Sequence, residues 1–211
     1  MRIRISRRAA VMGVGGIAVS VWEVFRCGGT TEALWATIQV VVVIVVAAGL
    51  HELGHALMAW SVGIPIQTMR LDLFGARMEL GGMLSYKREL AMAAGGPFVN
   101  LLSAAFALPL CAWWGFEGSA GLFLIASLGL GGLNLMPVQS LDGGRMLECV
   151  LSLLFGAEIG EGVVRLTTGF FLGGLWLLSV YSLLRVGQML SLFAFTLCLL
   201  FRLLIPETGQ K

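Results

Sequence analysis

The sequence predicts an all-α, multi-pass membrane protein with about six transmembrane helices and a small β-hairpin at the membrane surface. Three observations predict it. Of the 211 residues, 58% are apolar and only 12% charged, about half the charge a soluble domain carries. The mean hydropathy is +0.91, and six stretches approach the roughly 20 mostly apolar residues that a bilayer crossing needs. One short stretch instead alternates apolar and polar residues with a period of two, as strands do. The same figures exclude a soluble single-core enzyme and a disordered chain, and 14 basic against 12 acidic residues leaves no basic excess for a nucleic acid.

The first apolar stretch, about residues 9–25, follows a basic Met1–Arg8 segment and resembles a secretory signal. No small-residue cleavage site interrupts it before Trp22 and Glu23, so it reads as a retained helix. Further spans are expected at about 33–60, 91–111, 119–138, 162–184 and 187–205. Between the second and third, Ile66 to Leu73 alternates, Phe74-Gly75-Ala76 gives a turn, and Arg77 to Leu80 alternates again; this is the expected hairpin. The partly amphipathic stretch 144–160 reads as an interfacial helix whose polar face includes Glu148, with Glu158 and Glu161 following. Basic residues stay with cytoplasmic loops. An inside N-terminus leaves only Arg26 and Arg185 of the 14 basic residues outside, so both termini are expected in the cytoplasm. Cys27, Cys111, Cys149 and Cys198 form no CxxC pair and read as reduced packing residues. With no long polar extension, residues 1–211 form one expected integral-membrane domain.

The second span contains His51-Glu52-Leu53-Gly54-His55. Two histidines four residues apart point from one face of a helix and can share a zinc ion. Glu52 then sits beside the metal, where its carboxylate can take a proton from a water that the metal acidifies. The chain holds only two histidines, and both are in this motif. Placing Trp60 at the inner interface puts His51 about 13 Å inside the membrane, from nine residues at about 1.5 Å each. Ionisable groups at such depth mark functional sites. A catalytic zinc usually takes three protein ligands. Asp142, in Asn134-Leu135-Met136-Pro137-Val138-Gln139-Ser140-Leu141-Asp142-Gly143-Gly144, is the intramembrane carboxylate with the best claim to be the third. Pro137 breaks the fourth span, and irregular backbone at membrane depth belongs where protein or a wet cavity covers it.

These residues resemble the site-2 proteases, intramembrane zinc metalloproteases of the peptidase M50 type. The resemblance rests on His51-Glu52-Leu53-Gly54-His55, on Gly96-Pro97-Phe98-Val99-Asn100, and on Asn134-Leu135-Met136-Pro137 followed by Leu141-Asp142-Gly143, and it covers about residues 35–155. It implies one Zn²⁺ held by His51, His55 and Asp142, Glu52 as the base, and Asn100 and Asn134 near the substrate. Within the family the six-span plan and the compact inner loop with Leu73-Phe74-Gly75 are most similar to the stage IV sporulation protein FB subgroup, without its C-terminal CBS domain.

The expected activity is hydrolysis of a peptide bond within or near a membrane segment of another protein, such as a membrane-tethered transcription factor or its anti-factor. A helical substrate must be held extended before cleavage, and the strand edge around Leu71 and Leu73 is expected to hold it by strand addition. The expected partners are that membrane-embedded substrate, the lipid bilayer and a regulatory membrane protein; the expected location is a bacterial cell membrane. A zinc transporter or sensor using the same ligands is the alternative. It would be expected to carry further ligands toward the outer face, and the sequence places none there.

Overall fold

In the computed structural model, residues 2–5, 30–64, 66–72, 75–80 and 84–186 are described, with side chains over 30–64 and 84–185. They form three strands, β1 (Arg2–Ile5), β2 (Ile66–Asp72) and β3 (Gly75–Leu80), and five helices, α1 (Thr31–Ser61), α2 (Tyr86–Trp114), α3 (Ser119–Asn134), α4 (Asp142–Phe155) and α5 (Ala157–Val186). The chain divides into two compact units, Met1–Asn134 and Leu135–Lys211.

The first unit is built on α1. Thr30 caps it, its hydroxyl accepting from the Ala33 N–H at 3.4 Å, and Gly63, at a φ of +70°, ends it. There a left-handed residue lets the Ile64 N–H reach back to the Ala59 carbonyl at 2.8 Å. Over 31 residues the helix buries only Val43, Ala47, His51, Gly54, His55 and Ala59. Val43, Ala47, His51, His55 and Ala59 follow one another at intervals of four, with Gly54 beside His55, and make one stripe along the helix. Much of the rest of its surface, with Val42, Ile44 and Val45, is exposed and apolar. Water would oppose so continuous an apolar surface; lipid does not.

The buried stripe of α1 lies on α2. Gly54 and Gly95 meet so closely that a Cβ on Gly54 would stand 2.9 Å from the Gly95 carbonyl carbon. Only glycine at both positions lets the two backbones touch. Pro97 lies within α2, where it removes a backbone donor. Helix α3 packs against both α1 and α2, with Gly131 facing Asn100 and Pro97, and α2 and α3 enclose a small core of Ala104, Ala107, Cys111 and Leu124.

The sheet runs β1-β2-β3, β1 parallel to β2 and β2 antiparallel to β3. The parallel strand β1 was absent from the expected hairpin. Its Arg-Ile-Arg-Ile sequence has the period of a strand, yet it reads equally as the basic flank of a membrane span. Because β1 pairs Ile5 with Leu71 while β3 pairs Ala76 with it, Leu71 lies in the central strand. The free edges among the described residues belong to β1 and β3, so the expectation that Leu71 offers an edge is corrected. Leu73 lies outside the described residues.

In the second unit α4 and α5 pack against each other. Here Gly156, at a φ of +95°, makes the turn between them.

Helices α1, α2 and α5 are long and apolar enough to cross a membrane, whereas α3, at 16 residues, is shorter. The expected fourth span ran to residue 138, but the helix stops at Asn134. Pro137 disfavours helical backbone in the residue before it and cannot donate to a continuing helix. The expected spans at 9–25 and 187–205 lie outside the described residues. Exposed Trp35, Trp60, Trp113 and Trp114 stand near the ends of α1 and α2, as interfacial aromatics do. The chain is a membrane protein.

Candidate metal centre

One turn of α1 separates His51 from His55, and their side chains leave the helix on its buried stripe. The Nε2 atoms stand 3.1 Å apart, with the rings edge to face at an interplanar angle of 85°. Each ring is held from behind by α2. Nδ1 of His55 lies 2.8 Å from the Met92 carbonyl oxygen. A carbonyl can only accept, so Nδ1 carries the proton and Nε2 keeps its lone pair. The Gly96 N–H, 3.3 Å from the same Nδ1, is also a donor, so that longer contact is close packing and not a second bond. Nδ1 of His51 lies 3.3 Å from Nδ2 of Asn100, which is fully buried.

The space in front of the two Nε2 atoms is cleared by Gly96. A Cβ there would stand 2.7 Å from Nε2 of His51 and closer still to Nε2 of His55. Two imidazole lone pairs 3.1 Å apart repel each other unless a proton or cation lies between them. A tetrahedral ion with bonds of about 2.0–2.1 Å would hold two nitrogens about 3.3 Å apart. The cradle therefore fits a divalent cation, and α2 supplies the second contact that ligating histidines usually make.

Glu52, one residue along α1, is half-buried. Asn134 is the last residue of α3, and its Nδ2 donates to the Leu130 carbonyl at 3.0 Å, which spends one amide proton within its own helix. In the second unit Asp142 is the first residue of α4. Gly143 and Gly144 follow it because the preceding segment folds back on the helix. A Cβ on Gly143 would meet the Met136 carbonyl oxygen at 2.7 Å, and one on Gly144 the Gln139 nitrogen at 2.8 Å. The sequence carries no local sign of the crossing at Gly54 and Gly95. It also gives none of the α5 threonines that bond the Pro137 to Gln139 backbone.

No protein-family model matches the chain. The fold is that of the site-2 protease from Methanocaldococcus jannaschii, with a TM-score of 0.67 over 94% of this chain and 87% of that one, at 22% identity. The chain is 30% identical over 158 residues to a Mycobacterium tuberculosis protein named as zinc metalloprotease Rip3, a match over 71% of this chain and 37% of that one. It is 29% identical over 126 residues to zinc metalloprotease MJ0392 of Methanocaldococcus jannaschii, over 58% and 36% of the two chains. The chain therefore has the site-2 protease fold and is similar in sequence to proteins named zinc metalloproteases. Stage IV sporulation protein FB of Bacillus subtilis is 28% identical over 139 residues, 62% of this chain and 45% of its own. The chain thus spans less than half the length of these curated relatives. The Gly96 cradle and the paired histidines are the parts of this site-2 protease fold whose chemistry is most specific.

Proposed function

We propose that the chain is an intramembrane zinc metalloprotease, an endopeptidase that cuts a membrane-embedded segment of another protein. The observation that carries the reading is the pair of Nε2 atoms 3.1 Å apart on the buried stripe of a helix long enough to cross a bilayer. His51, His55 and Asp142 offer two imidazoles and a carboxylate, a donor set suited to zinc. We read both units as one protease domain with its core over about residues 35–155.

When bound, zinc supplies Lewis acidity, polarising the scissile carbonyl and making a water easier to deprotonate. The chain's own residues do the rest. His51 and His55 bind through Nε2, each oriented by its Nδ1 contact to α2. Glu52 takes a proton from the attacking water and returns it to the leaving amine, as general base and then general acid. Asn134 favours the tetrahedral intermediate by keeping an amide group near the reacting carbonyl, while Asn100 acts through the His51 ring that it contacts. The half-buried setting keeps other water away from the helix-embedded site.

The substrate is read as a single membrane segment, such as the anchor of a transcription factor or of its anti-factor. Its backbone is held extended beside the outer edge of β3, since β2 already has partners on both sides. Six spans, cytoplasmic termini, a bacterial cell membrane and a regulatory membrane protein complete the reading, which resembles the sporulation protein FB type. The experiment is reconstitution in vesicles with single-pass substrate segments, comparing the intact chain with Glu52→Gln. A zinc transporter or sensor with the same ligands would leave substrates uncut and move or report zinc independently of Glu52.

A further inference from the structure

The segment Leu135 to Leu141 joins α3 to α4 without forming a helix. In a membrane protein such backbone is costly unless each N–H and C=O finds a partner. Two bonds are internal: Val138 N–H to the Met136 carbonyl and Leu141 N–H to the Val138 carbonyl, each 2.8 Å. Two more come from adjacent residues of α5. The Gln139 N–H donates to Oγ1 of Thr168 at 2.8 Å, and Oγ1 of Thr167 stands 3.1 Å from the Pro137 carbonyl oxygen. Thr167 also reaches the Val164 carbonyl of its own helix at 3.0 Å, so its single proton is shared. Thr168 has no such rival as acceptor for Gln139, and it is fully buried.

The bond to Thr168 lies directly against the start of α4. Gly144 packs on the same Gln139 nitrogen, where a Cβ would stand 2.8 Å away, and Gly143 packs on the Met136 carbonyl. A link therefore runs from Thr168 through Gln139 to the two glycines that follow Asp142. All of these residues belong to the second unit. Moving the Gln139 amide moves the first turn of α4 with it, because no side chain separates the two backbones.

We propose that Thr168, assisted by Thr167, is a positioning residue that fixes Asp142 for metal binding by pinning the broken backbone ahead of α4 to α5. The proposal rests on the reading of Asp142 as a zinc ligand. Thr168 touches neither metal nor substrate in this role. Its hydroxyl oxygen sets the position of one N–H, and that N–H sets where the aspartate begins its helix. Supporting groups of ligands generally change metal affinity by about 10–100-fold when removed.

The test is zinc affinity of the purified full chain, measured by competition with a chromogenic chelator, for the intact protein and for Thr168→Val, Thr168→Ser, Thr168→Ala and Asp142→Ala. Valine keeps the shape of threonine and loses the acceptor; serine keeps the acceptor. The expected result is a 10–100-fold loss for Thr168→Val and Thr168→Ala, with Thr168→Ser within about threefold of the intact chain. If Thr168→Val does not fold, the alanine and serine variants carry the test: equal affinity in the two overturns the proposal. Full affinity in Thr168→Val, with zinc lost in Asp142→Ala, also overturns it while leaving the aspartate as a ligand. Unchanged zinc binding in Asp142→Ala removes the ligand reading itself, and the proposal falls with it.

Discussion

Nδ2 of Asn100 stands 3.3 Å from Nδ1 of His51, while the amide oxygen of Asn100 is buried and has no hydrogen-bond partner among the described residues. Committing Nε2 of His51 to a cation leaves the ring proton on Nδ1, which then needs an acceptor. Half a turn of the Asn100 amide puts its oxygen there and removes both the donor conflict and the orphaned oxygen. Asn100 thereby acts on the metal through His51. Asn100→Ala is expected to weaken zinc retention about 10–100-fold, with Asn100→Asp, which keeps an acceptor, close to the intact chain. Equal retention in both would place the role of Asn100 elsewhere.

Gly96 tests the cradle by steric means. Its Cβ would enter the space between the two Nε2 atoms, 2.7 Å from that of His51. Gly96→Ala should bind zinc at least ~100-fold more weakly, a loss of about 2.8 kcal/mol at the conversion of about 1.4 kcal/mol per tenfold. Metal analysis of the purified variant decides it; a full zinc complement would show that the metal sits elsewhere.

The crossing at Gly54 and Gly95 carries a stability prediction. A Cβ on Gly54 would lie 2.9 Å from both the Gly95 carbonyl carbon and Cγ2 of Val99, so neither backbone nor side chain can yield freely. Gly54→Ala is expected to destabilise the fold by about 1–3 kcal/mol or more. The check is thermal unfolding in detergent without metal, where Gly49→Ala, with nothing near its added carbon, should change little.

The spacing of His51 and His55 is a property of one helix, so i and i+4 suffice to predict that they converge. The crossing at Gly54, the Met92 carbonyl behind His55 and the α5 threonines behind Gln139 depend on contacts between distant segments, which no local period encodes. Strand β1 shows the same limit. Its partner Thr68 lies 66 residues from Arg2 in sequence, and a four-residue alternation cannot name a partner so far away.

Topology follows from α2, whose 29 residues separate Ser85 from Glu117. Single-cysteine labelling of Ser85→Cys and Glu117→Cys in a background lacking native cysteines should report opposite faces, with Ser85 cytoplasmic. Labelling of both from one face would contradict the span.

Strand addition predicts a directional effect in β3. Successive N–H groups of an edge strand point to opposite sides, so of Arg77→Pro and Met78→Pro one removes a bond to β2 and the other a free edge donor. The variant that loses the edge donor should cut poorly while keeping zinc. Normal cleavage by both would show that substrate is unwound elsewhere.

The most direct measurement of the central claim pairs metal content with cleavage in Glu52→Gln. The intact chain in vesicles should hold about one zinc and cut a single-pass membrane substrate. Glu52→Gln should keep that zinc and cut at least ~10²–10⁴-fold more slowly, the usual contribution of general acid–base catalysis. Equal cleavage by the two proteins, or an intact chain that binds no zinc, would contradict the account.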